Sequence, residues 1–195
     1  MNSTDRIQQC FQENIALQQK TLDLLAPAID SAARMLTQAL CSGAKILCCG
    51  NGGSASQAQH FTSELLNRFE RERPGLPAIT LTCDSATLTS IANDYHFKEV
   101  FARQIQALGN QDDILVVFTT SGVSPNILQA AKAAQGRGLS VIAVSGKDGG
   151  ELTQLLGNKD LELRVPSQAT PRIQEIHLLI AHCLCDLVDR NLFGA

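Results

Sequence analysis

Five short, mostly apolar runs alternate with segments of helical character over residues 45–165, and this alternation limits the folds open to the chain. The runs cover residues 45–49, 78–82, 114–119, 141–145 and 161–165. Continuously apolar strands are typical of sheets buried on both faces, and strands that alternate with helices pair in parallel. The sequence therefore predicts an α/β fold with a five-stranded parallel sheet and helices on both of its faces.

The first 42 residues carry no strand signal. Their apolar residues recur at three- and four-residue spacing, at Ile7, Phe11, Ile15, Leu22, Leu25, Ile29, Ala33, Leu36 and Leu40. This spacing predicts two amphipathic helices, broken near Pro27. A five-stranded sandwich does not need these helices, so we expect their apolar stripes to pack against a partner subunit. Packing back onto their own domain is the alternative.

Length and charge limit the functional classes. A chain of 195 residues without a Pro/Ser-rich linker predicts one domain over residues 1–195, divided into a helical segment (1–42) and a sandwich (43–195). The formal charge of -3 and the scattered basic residues argue against a nucleic-acid surface. The one local basic cluster, Arg68, Arg71 and Arg73, is interpreted as a solvated helix end.

The seven cysteines and the opening of the chain bear on location. The cysteine count is odd, and no charged-then-apolar signal segment opens the sequence, so we expect a cytoplasmic protein. No run approaches the ~20 apolar residues that span a bilayer. Cys48, Cys49, Cys183 and Cys185 lie in apolar segments and are interpreted as core residues, with a metal-binding CxC pair as the alternative.

A glycine-rich turn, residues 50–54, lies between the first apolar run and a helical segment at residues 55–69. Backbone N–H groups in such a turn can approach an anion, and the helix dipole adds positive charge, so the turn favours a phosphate. Alone it is ambiguous, because it lacks the P-loop lysine and the dinucleotide spacing. His60 and Glu64 follow on one helix face and indicate chemistry on a small phosphorylated molecule, unless they are simply solvated.

A second candidate phosphate clamp follows the third run. Residues 119–124 offer several hydroxyls and open a helix predicted over residues 125–137, although N-capping explains Ser and Thr there equally well. Because ligands of parallel sheets lie beyond the carboxyl ends of the strands, both turns are expected at one edge. Asn93 and Asp94 precede a helix ending near Leu108, where an N-cap role competes with ligand binding.

The last helix, predicted over residues 171–192, carries polar groups on a mostly apolar sequence. Gln174 and His182 each need a partner there, but eight helical residues separate them by ~12 Å. They can meet one atom only if a long side chain reaches from the helix start or if neighbouring subunits share the site. His177 is interpreted as structural because it faces away from His182.

Long stretches of the chain resemble the sugar isomerase (SIS) family, and within it the bacterial phosphoheptose isomerases. The resemblance covers almost the whole chain and rests on residues 49–55, 58–61, 68–70, 73–74, 91–94, 146–150 and 172–177. It implies a flavodoxin-like three-layer α/β/α sandwich and a homotetramer with active sites between subunits. The implied reaction converts sedoheptulose 7-phosphate to D-glycero-D-manno-heptose 7-phosphate, for the heptose of the lipopolysaccharide core.

The resemblance also implies roles for individual residues. A zinc ion would be held by His60, Glu64, Gln174 and His182. Glu64 and His182 would carry the acid–base chemistry. Substrate contacts would involve Asn51, Gly52, Gly53, Glu64, Asn93, Asp94, Thr119, Thr120, Ser121, Ser124 and Gln174. Val123 departs from the family pattern, which has Asn there, so we expect backbone phosphate binding to survive and the amide's contribution to a sugar contact to be lost.

A second relative implies a different role. The chain also resembles a tetrameric SIS protein that associates with the replication initiator DnaA (the DiaA type), through residues 46–52, 67–70 and 183–187. That relative is not expected to keep the whole metal and acid–base set. Since Glu64 and His182 are both present here, the sequence favours the enzyme, with a non-enzymatic DnaA-binding tetramer as the alternative.

Overall fold

The computed structural model describes residues 2–194, and its five strands form one parallel sheet. The strands are β1 (Ile46–Gly50), β2 (Ala78–Thr80), β3 (Ile114–Phe118), β4 (Ser140–Gly146) and β5 (Leu161–Val165). They lie in the order β2-β1-β3-β4-β5, and every neighbouring pair is parallel. All five predicted strands are confirmed.

Helices cover both faces of the sheet. They are α1 (Ser3–Cys41), α2 (Gly53–Leu66), α3 (Ser85–Asp94), α4 (Ala102–Leu108), α5 (Pro125–Gly136), α6 (Gly150–Leu155) and α7 (Thr170–Phe193), with a 3-10 turn at Phe97–Glu99. The predicted boundary at residues 42–43 falls in the turn between α1 and β1. Pro171 lies in the first turn of α7, as predicted, where its missing N–H costs nothing.

Alternate residues of each strand point into two separate cores, one on each face of the sheet. Cys48 and Val116 face the core that is closed by α1, α2 and α7. Leu47 and Leu115, their neighbours in sequence, face the core closed by α3, α4, α5 and α6. The central strands β1 and β3 are buried along their whole length. The predicted three-layer α/β/α sandwich is confirmed.

Helix α1 corrects the prediction of two N-terminal helices. It runs unbroken for 39 residues with Pro27 inside it. An internal proline costs roughly 3 kcal/mol of helix stability, because it loses one backbone hydrogen bond and crowds the preceding turn. Leu17 is buried before Pro27 and Leu36 is buried after it. Packing on both sides of the proline keeps the two halves in line, and a local sequence pattern cannot show this.

The apolar stripe of α1 is divided between two environments. Its second half packs back on the domain, where Ala33 and Leu36 are fully buried, so the alternative interpretation holds for that half. Its first half leaves Ile7, Phe11 and Ile15 each more than half exposed. Among the helices of residues 2–194, none is long and apolar enough to cross a membrane.

Three of the four cysteines predicted to be core residues are buried. Cys48, Cys49 and Cys185 are buried, Cys183 is half-buried, and all seven thiols are free. Burial raises the pKa of Cys48, Cys49 and Cys185, so these thiols stay protonated and unreactive.

Candidate functional site

Two turns predicted to bind phosphate lie side by side at the carboxyl edge of the sheet. Strands β1 and β3 are neighbours, with Gly50 paired to Phe118 at their ends. The strand order places the change of winding direction between these two strands, and ligands of open α/β sheets bind in the crevice at such a point. The predicted position of both turns on one edge is confirmed.

The turn after β1, residues 50–54, needs glycine for steric reasons. A Cβ atom on Gly50 would lie 2.5 Å from the carbonyl oxygen of Ser54. Gly52 has a positive φ of 54° and is the N-cap of α2, which receives no side-chain cap. Within residues 2–194 the exposed N–H groups of Gly52 and Gly53 have no hydrogen-bond acceptor. Free N–H groups at a helix N-terminus suit an anion.

The turn after β3, residues 119–124, combines a structural hydroxyl with free ones. Thr119 is buried, and its Oγ1 accepts a hydrogen bond of 3.2 Å from the N–H of Gly122. Ser124 is the N-cap residue of α5, but its side chain makes no capping hydrogen bond. The hydroxyls of Thr120, Ser121 and Ser124 therefore remain available to a ligand, in contrast to the capping alternative.

The two turns are joined by a pair of asparagines. Asn51 Nδ2 donates to Asn126 Oδ1, and Asn126 Nδ2 donates back to Asn51 Oδ1, both at 2.8 Å. Asn126 lies in the first turn of α5 and is only 2% exposed. Asn126 was not among the predicted site residues, because only the adjacency of β1 and β3 brings it beside Asn51.

Helices α2 and α7 bring together three of the predicted catalytic and metal-binding side chains. His60 Nε2 lies 2.8 Å from His182 Nε2 and 3.6 Å from Glu64 Oε1. The Glu64 side chain is 22% exposed and that of His60 is 41% exposed. Because His60 contacts His182 of α7 and the Glu64 side chain is mostly buried, the interpretation of these residues as simply solvated does not hold.

Gln174 lies apart from this cluster, beside the glycine turn. A Cβ on Gly53 would lie 2.7 Å from Gln174 Nε2, and the backbone oxygen of Gln174 accepts a hydrogen bond from Gln57. Along α2, the seven residues from Gly53 to His60 rise by ~10 Å. Within one chain Gln174 therefore lies beside the phosphate turn. Its role as a metal ligand next to His60 remains a prediction.

The donor atoms of the cluster suit a metal such as zinc, although the side chains are not spread to hold one. No group of three or more His, Cys, Asp and Glu side chains that could hold a metal ion is formed within residues 2–194. Imidazole nitrogens and a carboxylate are ordinary zinc ligands, and bonds of 2.0–2.1 Å in a tetrahedral site place two nitrogens about 3.3 Å apart. His60 and His182 would need to separate by about 0.5 Å from their present contact.

Asn93 and Asp94 form the exposed last turn of α3, where Asn93 Nδ2 donates to Asp94 Oδ1 at 2.9 Å. The N-cap interpretation is wrong, because these residues end a helix. Asp84 caps α3 instead, and hydrogen bonds from Thr87 lower the pKa of its carboxyl. Within residues 2–194, neither Asn93 nor Asp94 has a hydrogen bond to the phosphate turns.

Arg73 contradicts its assignment to a solvated basic cluster. Its side chain is 1% exposed, and Nε donates to Asp189 Oδ1 of α7 at 2.7 Å. The same guanidinium donates to the carbonyl oxygens of Glu64 and Leu65, at 2.7 and 2.8 Å. Arg73 therefore supplies hydrogen-bond donors to carbonyl oxygens at the end of α2, and it holds the turn that carries Glu64 against α7. Asp189, 116 residues away, supplied no local signal.

His177 is structural, as predicted. It is fully buried, and its Nε2 lies 2.8 Å from the carbonyl oxygen of Ser145 on β4. Burial lowers the pKa of His177 to about 4, so the ring is neutral and donates to that oxygen.

Titration of His177 makes stability depend on pH. In the unfolded chain His177 takes up a proton below about pH 6.5, whereas in the folded chain it does so only near pH 4. The free energy of unfolding therefore falls as the pH falls between these values. We expect the free energy of unfolding to drop by about 2 kcal/mol from pH 6.5 to about 5 through this residue. His177→Gln keeps a donor for the Ser145 carbonyl oxygen but does not titrate, so its free energy of unfolding should not show this decrease. Denaturant titrations of both proteins at the two pH values measure the decrease, and an equal decrease in the wild type and in His177→Gln would contradict the assignment.

Comparison with known proteins gives a consistent family. The SIS domain description matches residues 9–146. The chain is 62% identical over 194 residues to the phosphoheptose isomerase of Methylococcus capsulatus, covering all of both chains. A solved phosphoheptose isomerase from Francisella tularensis superimposes with a TM-score of 0.95 at 51% identity, over 97% of this chain and 100% of that one.

A second solved structure gives the same result. Phosphoheptose isomerase GmhA from Neisseria gonorrhoeae superimposes with a TM-score of 0.92 at 42% identity, over 96% of this chain and 99% of that chain. These similarities extend over the strands, over both phosphate turns and over α2 and α7. The chain belongs to the SIS domain family.

Proposed function

We propose that the chain is an aldose–ketose isomerase that converts sedoheptulose 7-phosphate to D-glycero-D-manno-heptose 7-phosphate, a precursor of lipopolysaccharide core heptose. The observation that carries the proposal is the cluster that His60 and Glu64, on the helix that begins at the glycine turn, form with His182 of α7. Relatives named phosphoheptose isomerase, up to 62% identical over the whole chain, support it.

The phosphate of the substrate would lie between the two turns. The N–H groups of Gly52 and Gly53, the positive end of α2 and the hydroxyls of Thr120, Ser121 and Ser124 belong to the turns after two neighbouring strands, and all of them favour an anion. Asn51 and Thr119 belong to the same two turns, and Gln174 lies beside Gly53. The sugar would extend along α2 from the phosphate turn toward Glu64.

Isomerisation needs one proton to leave C1 of the ketose and another to arrive at C2. We assign the first step to the Glu64 carboxylate, which takes the C1 proton while the bonding electrons form the C1=C2 bond of an enediol. We assign the second step to His182, which delivers a proton to C2 as the enediol collapses to the aldose. The contact with His60 holds the His182 ring in orientation.

A zinc ion would be held by His60, Glu64 and His182, with Gln174 as the fourth ligand implied by the resemblance. A side-chain atom that binds the ion cannot transfer a proton at the same time, so Glu64 and His182 would hold it in the resting enzyme and would have to release it to act as base and acid. Bound there, the ion would stabilise negative charge on the enediolate oxygens. Because Gln174 lies beside Gly53 in a single chain, it reaches such a site only by a shift of α7 or from a neighbouring subunit.

The exposed half of the α1 stripe supports a homotetramer, as do the exposed positions of Asn93 and Asp94, which would contact substrate only across a subunit boundary. Large apolar side chains in a contiguous row on a helix favour association. Light scattering should give a mass of four 20.9 kDa chains, and a stable monomer would contradict this part of the proposal.

The experiment that tests the function is turnover of sedoheptulose 7-phosphate by the purified protein, with the aldose product identified by NMR. Pull-down with DnaA is measured on the same preparation. Product without DnaA retention is expected. Retention of DnaA by a folded protein that forms no product would instead support the alternative, a binding protein of the replication initiator.

A further inference from the structure

The reciprocal hydrogen bonds between Asn51 and Asn126 link the glycine turn directly to the helix that follows the second phosphate turn. Asn51 belongs to the glycine turn after β1, and Asn126 belongs to the first turn of α5 after β3. The bonds lie at the edge of the sheet where ligands of this fold bind. Their geometry therefore determines how far apart the two turns are held.

The pair is well suited to act as a rigid spacer. Each amide donates once and accepts once at 2.8 Å, so neither side chain can flip alone without placing two oxygens or two NH2 groups face to face. Asn126 is 2% exposed, and a buried amide that lost its partner would pay a large desolvation cost. Asn51 is half-buried and retains one N–H for a ligand.

We propose that Asn126 is a positioning residue for the phosphate: through Asn51 it holds the N–H groups of Gly52 and Gly53 at a fixed distance from Ser121 and Ser124. This rests on the proposed function, since it deepens the role of the same crevice. Asn126 itself is buried behind the turn and need not touch the substrate. Its effect falls on phosphate binding, because the His60, Glu64 and His182 cluster lies about two helical turns further along α2.

The test compares Asn126→Ala with Leu139→Ala. Leu139 is 3% exposed and precedes β4 at the opposite edge of the sheet, so its truncation lowers stability without touching the crevice. Calorimetry measures the Kd of inorganic phosphate, and steady-state kinetics give KM and kcat for sedoheptulose 7-phosphate.

For Asn126→Ala we expect the phosphate Kd and the KM each to rise about tenfold, with kcat changed by less than about threefold. Leu139→Ala should leave Kd and KM within about twofold of the wild-type values. Unchanged phosphate affinity in Asn126→Ala, an equal rise in Leu139→Ala, or wild-type protein that does not bind phosphate would each overturn the proposal.

If Asn126→Ala does not fold, Asn126→Asp replaces it. The carboxylate keeps the shape and still accepts from Asn51, but it cannot donate and it sets a negative charge behind the phosphate, so an increase in Kd above about tenfold is expected and an unchanged Kd overturns the proposal. Failure of the proposed function is recognised separately: wild-type protein would then bind phosphate without isomerising the sugar, while the positioning role is judged on Kd.

Discussion

Replacing Glu64 by Gln should lower kcat for sedoheptulose 7-phosphate by about 10² to 10⁴ while leaving the fold intact. The amide has nearly the shape of the carboxylate and can still contact His60, but it cannot take a proton from C1. Glu64 is partly buried and has no buried ion pair to lose, so the melting temperature should change little. His182→Gln should give a loss of the same order.

Two controls make the Glu64 result specific. Glu72→Gln changes a side chain that is 90% exposed, and its kcat should match the wild type. Bound zinc is measured in every preparation, because loss of a metal ligand would also lower activity. Near-normal turnover in Glu64→Gln would remove Glu64 from the reaction.

The largest stability loss is expected for Arg73→Met. Removing one partner of a buried ion pair leaves an uncompensated charge, here the Asp189 carboxylate at 5% side-chain exposure, and such losses are about 3–5 kcal/mol. The carbonyl oxygens of Glu64 and Leu65 lose their donors as well. Thermal unfolding should show a decrease in Tm of roughly 10 °C.

The matched control for Arg73 is Arg34→Met. Arg34 pairs with Asp30 at 2.7 Å but is 75% exposed, so its loss should cost less than about 1 kcal/mol. The double change Arg73→Met with Asp189→Leu should be less damaging than Arg73→Met alone, because the buried charge has gone. Equal Tm losses for Arg73→Met and Arg34→Met would contradict the account of a buried clamp.

The fold was accessible from the sequence because its signals are local. A strand buried on both faces must be apolar along most of its length, and the runs at 114–119 and 141–145 show this directly. The glycine turn was equally readable, since Gly50 and Gly52 meet local steric demands. The pairing of His60 with Glu64 follows from helical spacing alone.

The errors arose where distant contacts decide the structure. Pro27 breaks a helix in isolation, but buried residues on both sides of it keep α1 continuous. Arg73 looked solvated beside Arg68 and Arg71, because its partner Asp189 is 116 residues away in sequence. The link between Asn51 and Asn126 depends on the adjacency of β1 and β3, which no residue spacing records.

The most direct test of the isomerase assignment is the initial rate of heptose 7-phosphate formation from sedoheptulose 7-phosphate by purified protein. It is measured as purified, after chelation, and after zinc is restored to the chelated protein. We predict turnover that is lost on chelation and returns with zinc. A folded, zinc-loaded tetramer that forms no aldose product would contradict the assignment and favour the DnaA-associating role.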